Sequence, residues 1–339
     1  MLRALLATVL IALCAREAFA GHGKIDLVEL DNGDEITCEV TSLKRGMVTA
    51  ETDALGTISI EWDKVRRIVS PAQFEIELSS GDFLFGTLDS AAAGSMTVHT
   101  QTGDVVVTLL QVVRLSPLEA GFWQRLDGAM DLGFSFAQAD ALTQWTLNST
   151  VSRHTPKYFT QATLNSIETI DDTDSRQSRN TLSVQTQRSL GNRWFFAPLL
   201  QISQNEQLGL DLRTVLSAGV GRYLVQSNNA LFSLTGGVTY TRERFAGEPT
   251  DDRSEAVGGI TWEWFTFGDS ETNLSNAFLI YENLGSAART RIELTTSFRR
   301  KFFKDFYWSI NLVESFDSAP PDNQKKNDLS TAIALGWSF

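Results

Sequence analysis

Cysteine is scarce in this chain, with only Cys14 and Cys38 in the whole sequence. Cys14 lies in MLRALLATVLIALCAREAFA. One basic residue, a short apolar run and Ala18-Phe19-Ala20 predict a secretory signal peptide over residues 1–20, cut after Ala20. A lipoprotein leader ending at Cys14 would want a small residue where Leu13 stands. With Cys14 removed, Cys38 has no partner for an internal disulfide. Its alternating context, EITCEV, predicts a buried and inert thiol.

Basic residues are few as well. Lys and Arg number 29 against 41 Asp and Glu, for a formal charge of −12. That balance excludes a nucleic-acid binder, which needs basic patches. No segment has the roughly 20 apolar residues that a membrane-spanning helix requires. Neither deficit excludes a β-barrel, whose strands show little in bulk hydropathy. Histidine is limited to His22, His99 and His154, and no cofactor motif stands out, so none is expected.

What is abundant is alternation. LDNGDEITCEVTSLKRGMVTAETDALGTISIEWDKVRRIVSP, from Leu30 to Pro71, is echoed by LSSGDFLFGTLDSAAAGSMTVHTQTGDVVVTLLQVVRLSP, from Leu78 to Pro117. Gly33-Asp34 recurs as Gly81-Asp82, Gly46 as Gly94, Gly56 as Gly103, and Ser70-Pro71 as Ser116-Pro117. Short alternating segments between glycine turns predict antiparallel strands. Copies over 24–71 and 72–117 are each too small to be comfortably stable alone. They are expected to pack as two small SH3-like or Sm-like barrels, or as one fused barrel. The Gly-Asp pairs read first as hairpin turns and second as a binding edge.

Residues 121–339 break into longer alternating runs. Strands are predicted to start near Arg125, Ala141, Tyr158, Ser175, Trp194, Asp211, Ala230, Arg253, Thr272, Ala287, Asp305 and Asn327, about twelve in all. Leu132, Phe134 and Phe136 fall in one row and Asp131, Gly133 and Ser135 in the other. Leu182 and Val184 oppose Ser183 and Gln185. Leu234 and Val238 oppose Ser233 and Thr239, Ile260, Trp262 and Trp264 oppose Thr261 and Glu263, and Leu329, Ile333 and Leu335 oppose Ser330 and Ala334. Connections alternate in character too. TPKYF, LGNRW, QSNN, GDSET and KFFKD are short, whereas DDTDSRQ, FAGEPTDDRSE and SAPPDNQKKND are polar and lie on the opposite side. A soluble sandwich would not require that asymmetry; a transmembrane barrel does. Tyr158, Phe159, Trp194, Phe195, Phe302, Phe303, Phe306, Trp337 and Phe339 gather at the short-turn end, as interfacial aromatics would. Unpaired backbone in hydrocarbon costs several kcal/mol per group, so the last strand is expected to pair with the first. The fold class expected is all-β: the duplicated module followed by an antiparallel transmembrane β-barrel of about 12 strands.

LDNGDEITCEV with IEWDKVRRI, and the terminal ALGWSF, resemble an uncharacterised family of salt-induced bacterial outer-membrane proteins, which joins an NGD-type β module to a barrel. The second module copy departs from the single copy of that family. The resemblance implies outer-membrane lipid and lipopolysaccharide as surroundings and the barrel-assembly machinery as a partner, reading Trp337 and Phe339. It places residues 24–117 in the periplasm, within reach of a protein or the cell wall.

Chemistry has thin support in the sequence. An outer-membrane lipid hydrolase would need a Ser/His pair, and only His154, with Ser149 and Ser152 nearby, could supply one. Asp171, Asp172 and Asp174, and Glu248, Asp251 and Asp252, lack the spacing and glycine of a calcium loop and read as solvated loops. Asp131, Arg179, Glu263, Arg291, Glu293 and Arg299 are expected to face the lumen, where charges are tolerated if wet or paired. Two functions from different classes follow: a narrow pore for small solutes, or a non-conducting anchor for the module.

Overall fold

The computed structural model describes residues 24–90, 92–118, 126–137, 142–155, 157–170, 176–206, 209–247, 249–267, 271–285, 288–303, 306–319 and 326–337. The proposed signal peptide lies outside the described residues.

The duplicated segment folds as one nine-stranded antiparallel sheet: β1 (Asp26–Leu30), β2 (Glu35–Lys44), β3 (Met47–Thr52), β4 (Gly56–Glu61), β5 (Val65–Leu78), β6 (Phe83–Asp89), β7 (Ser95–Thr100), β8 (Gly103–Thr108) and β9 (Val112–Pro117). Strand β5 serves both copies. Its first half pairs with β1 (Val28↔Ile68), and its second half pairs with β6 and β9 (Ile76↔Leu84, Ile76↔Leu115). The copies also exchange contacts, β2 reaching β9 at Leu43↔Leu115 and β6 reaching β5 at Ser70↔Leu88. They therefore share a core in which Val28, Leu43, Ile68, Phe74, Ile76, Leu88, Met96 and Leu115 are all buried. Neither copy alone would bury these side chains, each worth about 1.5–3 kcal/mol in transfer free energy. Trp62, in the 3-10 turn Trp62–Lys64, donates its indole N–H to the Leu109 carbonyl (2.7 Å), which lies in the equivalent turn Leu109–Gln111 of the other copy.

Cys38 is buried in this core as expected, and burial, with the Asp26 carboxylate adding to it, pushes its thiol up to about 11. It is not a thiolate near neutral pH.

The second part is a 12-stranded antiparallel sheet in simple meander order, consistent with a β-barrel: β10 (Leu126–Ala137), β11 (Leu142–His154), β12 (Tyr158–Ile170), β13 (Arg176–Gly191), β14 (Trp194–Asn205), β15 (Leu210–Gln226), β16 (Ala230–Phe245), β17 (Asp251–Thr266), β18 (Thr272–Asn283), β19 (Thr290–Phe303), β20 (Phe306–Asp317) and β21 (Asn327–Trp337). Register keeps the apolar row together across strands, as in Leu182↔Ile202, Leu200↔Leu216, Leu216↔Tyr240, Leu234↔Ile260 and Ile260↔Phe278.

Burial across this sheet is the reverse of a water-soluble protein. The polar row carries the buried residues Ser233, Thr239, Thr241, Glu243 and Glu255, while Val238 is 55% exposed and Trp262 47%. A sandwich in water would bury the second set and expose the first. The polar face is thus the inner one.

One expectation needs correction. No ladder joins β21 to β10 among the described residues, and Leu132, Ile333 and Leu335 on these two strands are 75%, 71% and 80% exposed. These side chains lack the cross-strand cover that a neighbouring strand gives the same apolar row elsewhere in the sheet. The short-turn aromatics divide between the two faces. Tyr158, Trp194, Phe302 and Phe306 are exposed, but Phe195 is buried on the polar side, 4.8 Å from the Tyr223 ring, and Phe159 shares that side. Strand alternation requires this, since neighbours in sequence take opposite faces. The side chains of Phe303 and Trp337 and all of Phe339 lie outside the described residues.

Candidate functional site at the capped end of the inner face

The module sits against the short-turn end of the 12-stranded sheet, and the turns between strands make the joint. Lys44-Arg45-Gly46 connects β2 to β3 with Arg45 and Gly46 at φ 50 and 72, the successive left-handed residues of a tight hairpin. Gly191-Asn192-Arg193 connects β13 to β14 with φ of 82, 51 and 64. Arg45, Asn192 and Arg193 are the non-glycine residues at positive φ among those described, and all three belong to turns at this joint. Left-handed backbone costs a non-glycine residue roughly 1–2 kcal/mol, and among the described residues that cost falls in these two turns.

Arg45 reaches onto the inner face. Its guanidinium is 2.9 Å from Glu263, 3.4 Å from the Asn273 amide oxygen and 4.7 Å above the Phe265 ring. Arg193 reciprocates, its Nε donating to the Ser79 carbonyl at 2.8 Å and its Nη1 to Leu224 at 3.2 Å. The Gln226 amide donates to Glu77 at 2.8 Å and the Asn228 amide to the Val112 carbonyl at 2.9 Å. The Arg45–Glu263 pair keeps 43% and 25% of its side chains exposed, which limits its net value to about 1 kcal/mol or less. Fit, not charge, holds the joint.

Repeat-related glycines divide the work. Gly33 and Gly81 both have φ 88, yet a Cβ on Gly33 would meet nothing, whereas one on Gly81 would lie 2.4 Å from the Arg193 nitrogen. Gly46 and Gly94 have φ 72 and 74, and only Gly46 is tight, 2.4 Å from the Asn228 carbonyl. Both Gly-Asp pairs are turns; the second also docks.

A second cluster occupies the long-loop end of the inner face. Glu243 is ion-paired with Arg213 at 2.6 Å and with Arg253, while Arg291 forks onto Glu255 at 2.9 and 2.7 Å. Arg291 also lies 3.5 Å from Glu293, and Arg289 pairs with Asp317.

By register, Asp131, Arg179, Glu263, Arg291, Glu293 and Arg299 share the polar row of Ser233, Thr239 and Glu255. Glu263, Arg291 and Glu293 are ion-paired, Arg299 stacks 3.7 Å over the Tyr307 ring, and Asp131 and Arg179 are exposed. Sequence reasoning missed Arg213, Glu243, Arg253 and Glu255. The signal was there, because Glu243 continues the row of Thr239 and Thr241, and Glu255 that of Thr261 and Glu263.

Trp337 ends β21 opposite Phe306, at the short-turn end. The His154 side chain lies outside the described residues; by register Ser152 shares its row and Ser149 faces the other way. Asp171, Asp172, Asp174 and Glu248 lie outside as well. Asp251 and Asp252 are engaged by Arg253 (3.2 Å) and Arg242 (3.6 Å). Among the described residues no group of three or more His, Cys, Asp or Glu is placed to hold a metal ion.

The family described as "Protein of unknown function, DUF481" matches residues 130–339. The chain belongs to this family. The match spans nearly all of the 12-stranded sheet and leaves the duplicated module outside it. No curated protein and no solved structure matches the chain.

Proposed function

We propose that this DUF481 protein is an outer-membrane β-barrel that passes small solutes through a narrow lumen, with no catalytic step of its own. The duplicated module lies in the periplasm and caps the inner mouth. The Arg45–Glu263 contact carries this reading, because it brings a module turn onto the charged inner face. Outward apolar residues meet lipid, and the outer loops meet lipopolysaccharide. Trp337 and Phe339 serve the barrel-assembly machinery.

Planar-bilayer recording tests it. The full chain should give discrete, small conductance steps, and Arg45→Ala should lengthen or enlarge the openings by loosening the cap. The second reading is a non-conducting anchor, favoured by the four hydrogen-bonded tethers between module and barrel at Arg45, Arg193, Gln226 and Asn228. Absence of steps in the full chain, in Arg45→Ala and after deletion of residues 24–117 would establish that reading instead.

A further inference from the structure

The outward row of the 12-stranded sheet is apolar over most of its length, and its charges collect at the two ends. At the long-loop end it carries Glu168, Glu282 and Glu314, and its cations Arg242 and Arg244 lie 3.6 and 3.8 Å from Asp252 and Asp211. At the short-turn end the described residues of this row include no Asp or Glu. They do include Arg188, Arg222 and Arg300, all exposed and none ion-paired among the described residues, in a chain whose formal charge is −12. Arg153, on the same row, is already engaged and does not count with them.

Each of the three stands directly across from an aromatic on a neighbouring strand. Arg188 pairs in register with Tyr158 and Arg222 with Trp194, and in both the guanidinium carbon lies 5.6 Å from the ring centroid. Arg300 pairs with Trp308. A guanidinium set against a ring keeps its edge N–H groups for another partner, in the fork geometry that matches a phosphate. Arg188 and Arg222 stand on either side of β14, with Trp194 and Phe196 between them. Below them an open groove of about 670 Å³ runs toward the middle of the sheet, entered between Thr186, next to Arg188 on its row, and Pro198, next to Phe196. Leu200, Leu216, Ala218 and Val238 continue it along the outward row. Free cations among rings above an apolar groove match a lipid with an anionic headgroup.

We propose that β13, β14 and β15 form a binding site for an anionic phospholipid, with Arg188 and Arg222 taking the headgroup phosphate and the groove taking an acyl chain. The site rests on the lipid-facing orientation in the proposed function and not on conduction. That orientation puts the short-turn end, where the module sits, at the periplasmic leaflet. A headgroup there meets two guanidinium groups with donors to spare. At the long-loop end the same headgroup would face the carboxylates of the outward row, which repel it.

The test uses the full chain folded in a neutral detergent, with phosphatidylglycerol and phosphatidylcholine as probes and native mass spectrometry as the readout. The first phosphatidylglycerol should bind more tightly than the first phosphatidylcholine, by about fivefold for each arginine that meets the phosphate. Arg188→Gln/Arg222→Gln should abolish that preference, whereas Arg242→Gln/Arg244→Gln, at the other end, should keep it. Arg188 and Arg222 are exposed and outside either core, so their double variant should fold. Equal uptake of the two lipids by the wild type, or an unchanged preference in Arg188→Gln/Arg222→Gln, overturns the proposal. Lipid A also carries phosphates and acyl chains, and its uptake in preference to phosphatidylglycerol would assign the arginines to the opposite leaflet and overturn the proposal as well. Insertion into vesicles separates the two readings. A chain that inserts into phosphatidylcholine vesicles but shows no headgroup preference loses this site and keeps its place in the membrane. A chain that inserts into no vesicle loses both.

Discussion

Gly46 of the module packs its Cα against the Asn228 carbonyl of the barrel so closely that a Cβ there would lie 2.4 Å away, with the Phe267 ring at 2.9 Å. Its repeat-mate, Gly94, has the same left-handed backbone and open space around it. This pair isolates docking from turn strain. Alanine at either position carries the backbone penalty of about 1 kcal/mol, but only Gly46→Ala also drives an atom into barrel backbone. Limited proteolysis of the connection between residues 118 and 126 should therefore accelerate in Gly46→Ala and stay near the wild-type rate in Gly94→Ala. Equal acceleration in both would mean that the module's own fold, not its seat on the barrel, responds to the change.

Val238 lies midway along β16 with its side chain 55% exposed on the apolar face. In a protein surrounded by water, arginine at so exposed a position should cost little, within about 0.5 kcal/mol. In hydrocarbon the same change near the midplane costs about 2–4 kcal/mol. Urea unfolding of Val238→Arg from phospholipid vesicles should show the larger figure. A cost near zero would place this face in water and remove the membrane from the account.

Much of the second sheet was legible because alternation is a strong signal over long strands. Tyr158, Trp194, Ala230, Thr272 and Asn327 each begin a strand where the pattern places one. The pattern does less well where ion pairs extend a hairpin past its apolar rows. β17 starts at Asp251, not Arg253, because Asp251 and Asp252 pair in register with Glu243 and Arg242 while arginines on both strands hold them. The joint was not legible at all. Gly33 and Gly81 look alike in sequence, and which of them meets another body depends on how two folded units fit. The buried carboxylates of the inner face fall between these cases, visible as a row but not as a network.

Glu255 and Glu293 both contact Arg291, yet they differ in burial: Glu255 keeps 2% of its side-chain surface and Glu293 42%. Neutralising a carboxylate matters most where it leaves a buried charge unpaired. Glu255→Gln should destabilise the barrel by up to about 3 kcal/mol, tempered because Arg291 is itself partly exposed. Glu293→Gln should cost under about 1 kcal/mol. Parallel unfolding curves in one detergent give the comparison directly, and a larger loss in Glu293→Gln would contradict the assigned roles.

His99, in the module, has its Nδ1 2.8 Å from Asp104 and its Nε2 3.8 Å from Asp89. The hydrogen bond to Asp104 raises the imidazole above its ordinary value of 6.5, with smaller help from the charges of both carboxylates and against some desolvation. A raised folded-state value means that folding favours the protonated ring. The stabilisation is therefore complete below about pH 6.5, the unfolded value, and fades as pH climbs through the folded midpoint. NMR titration of the His99 ring should place that midpoint above 6.5, and Asp104→Asn should bring it down while leaving the module folded. Because the ring is exposed, added salt should move the wild-type midpoint in the same direction by screening the carboxylates. A midpoint that ignores both Asp104 and salt would show that the pairing is not present in solution.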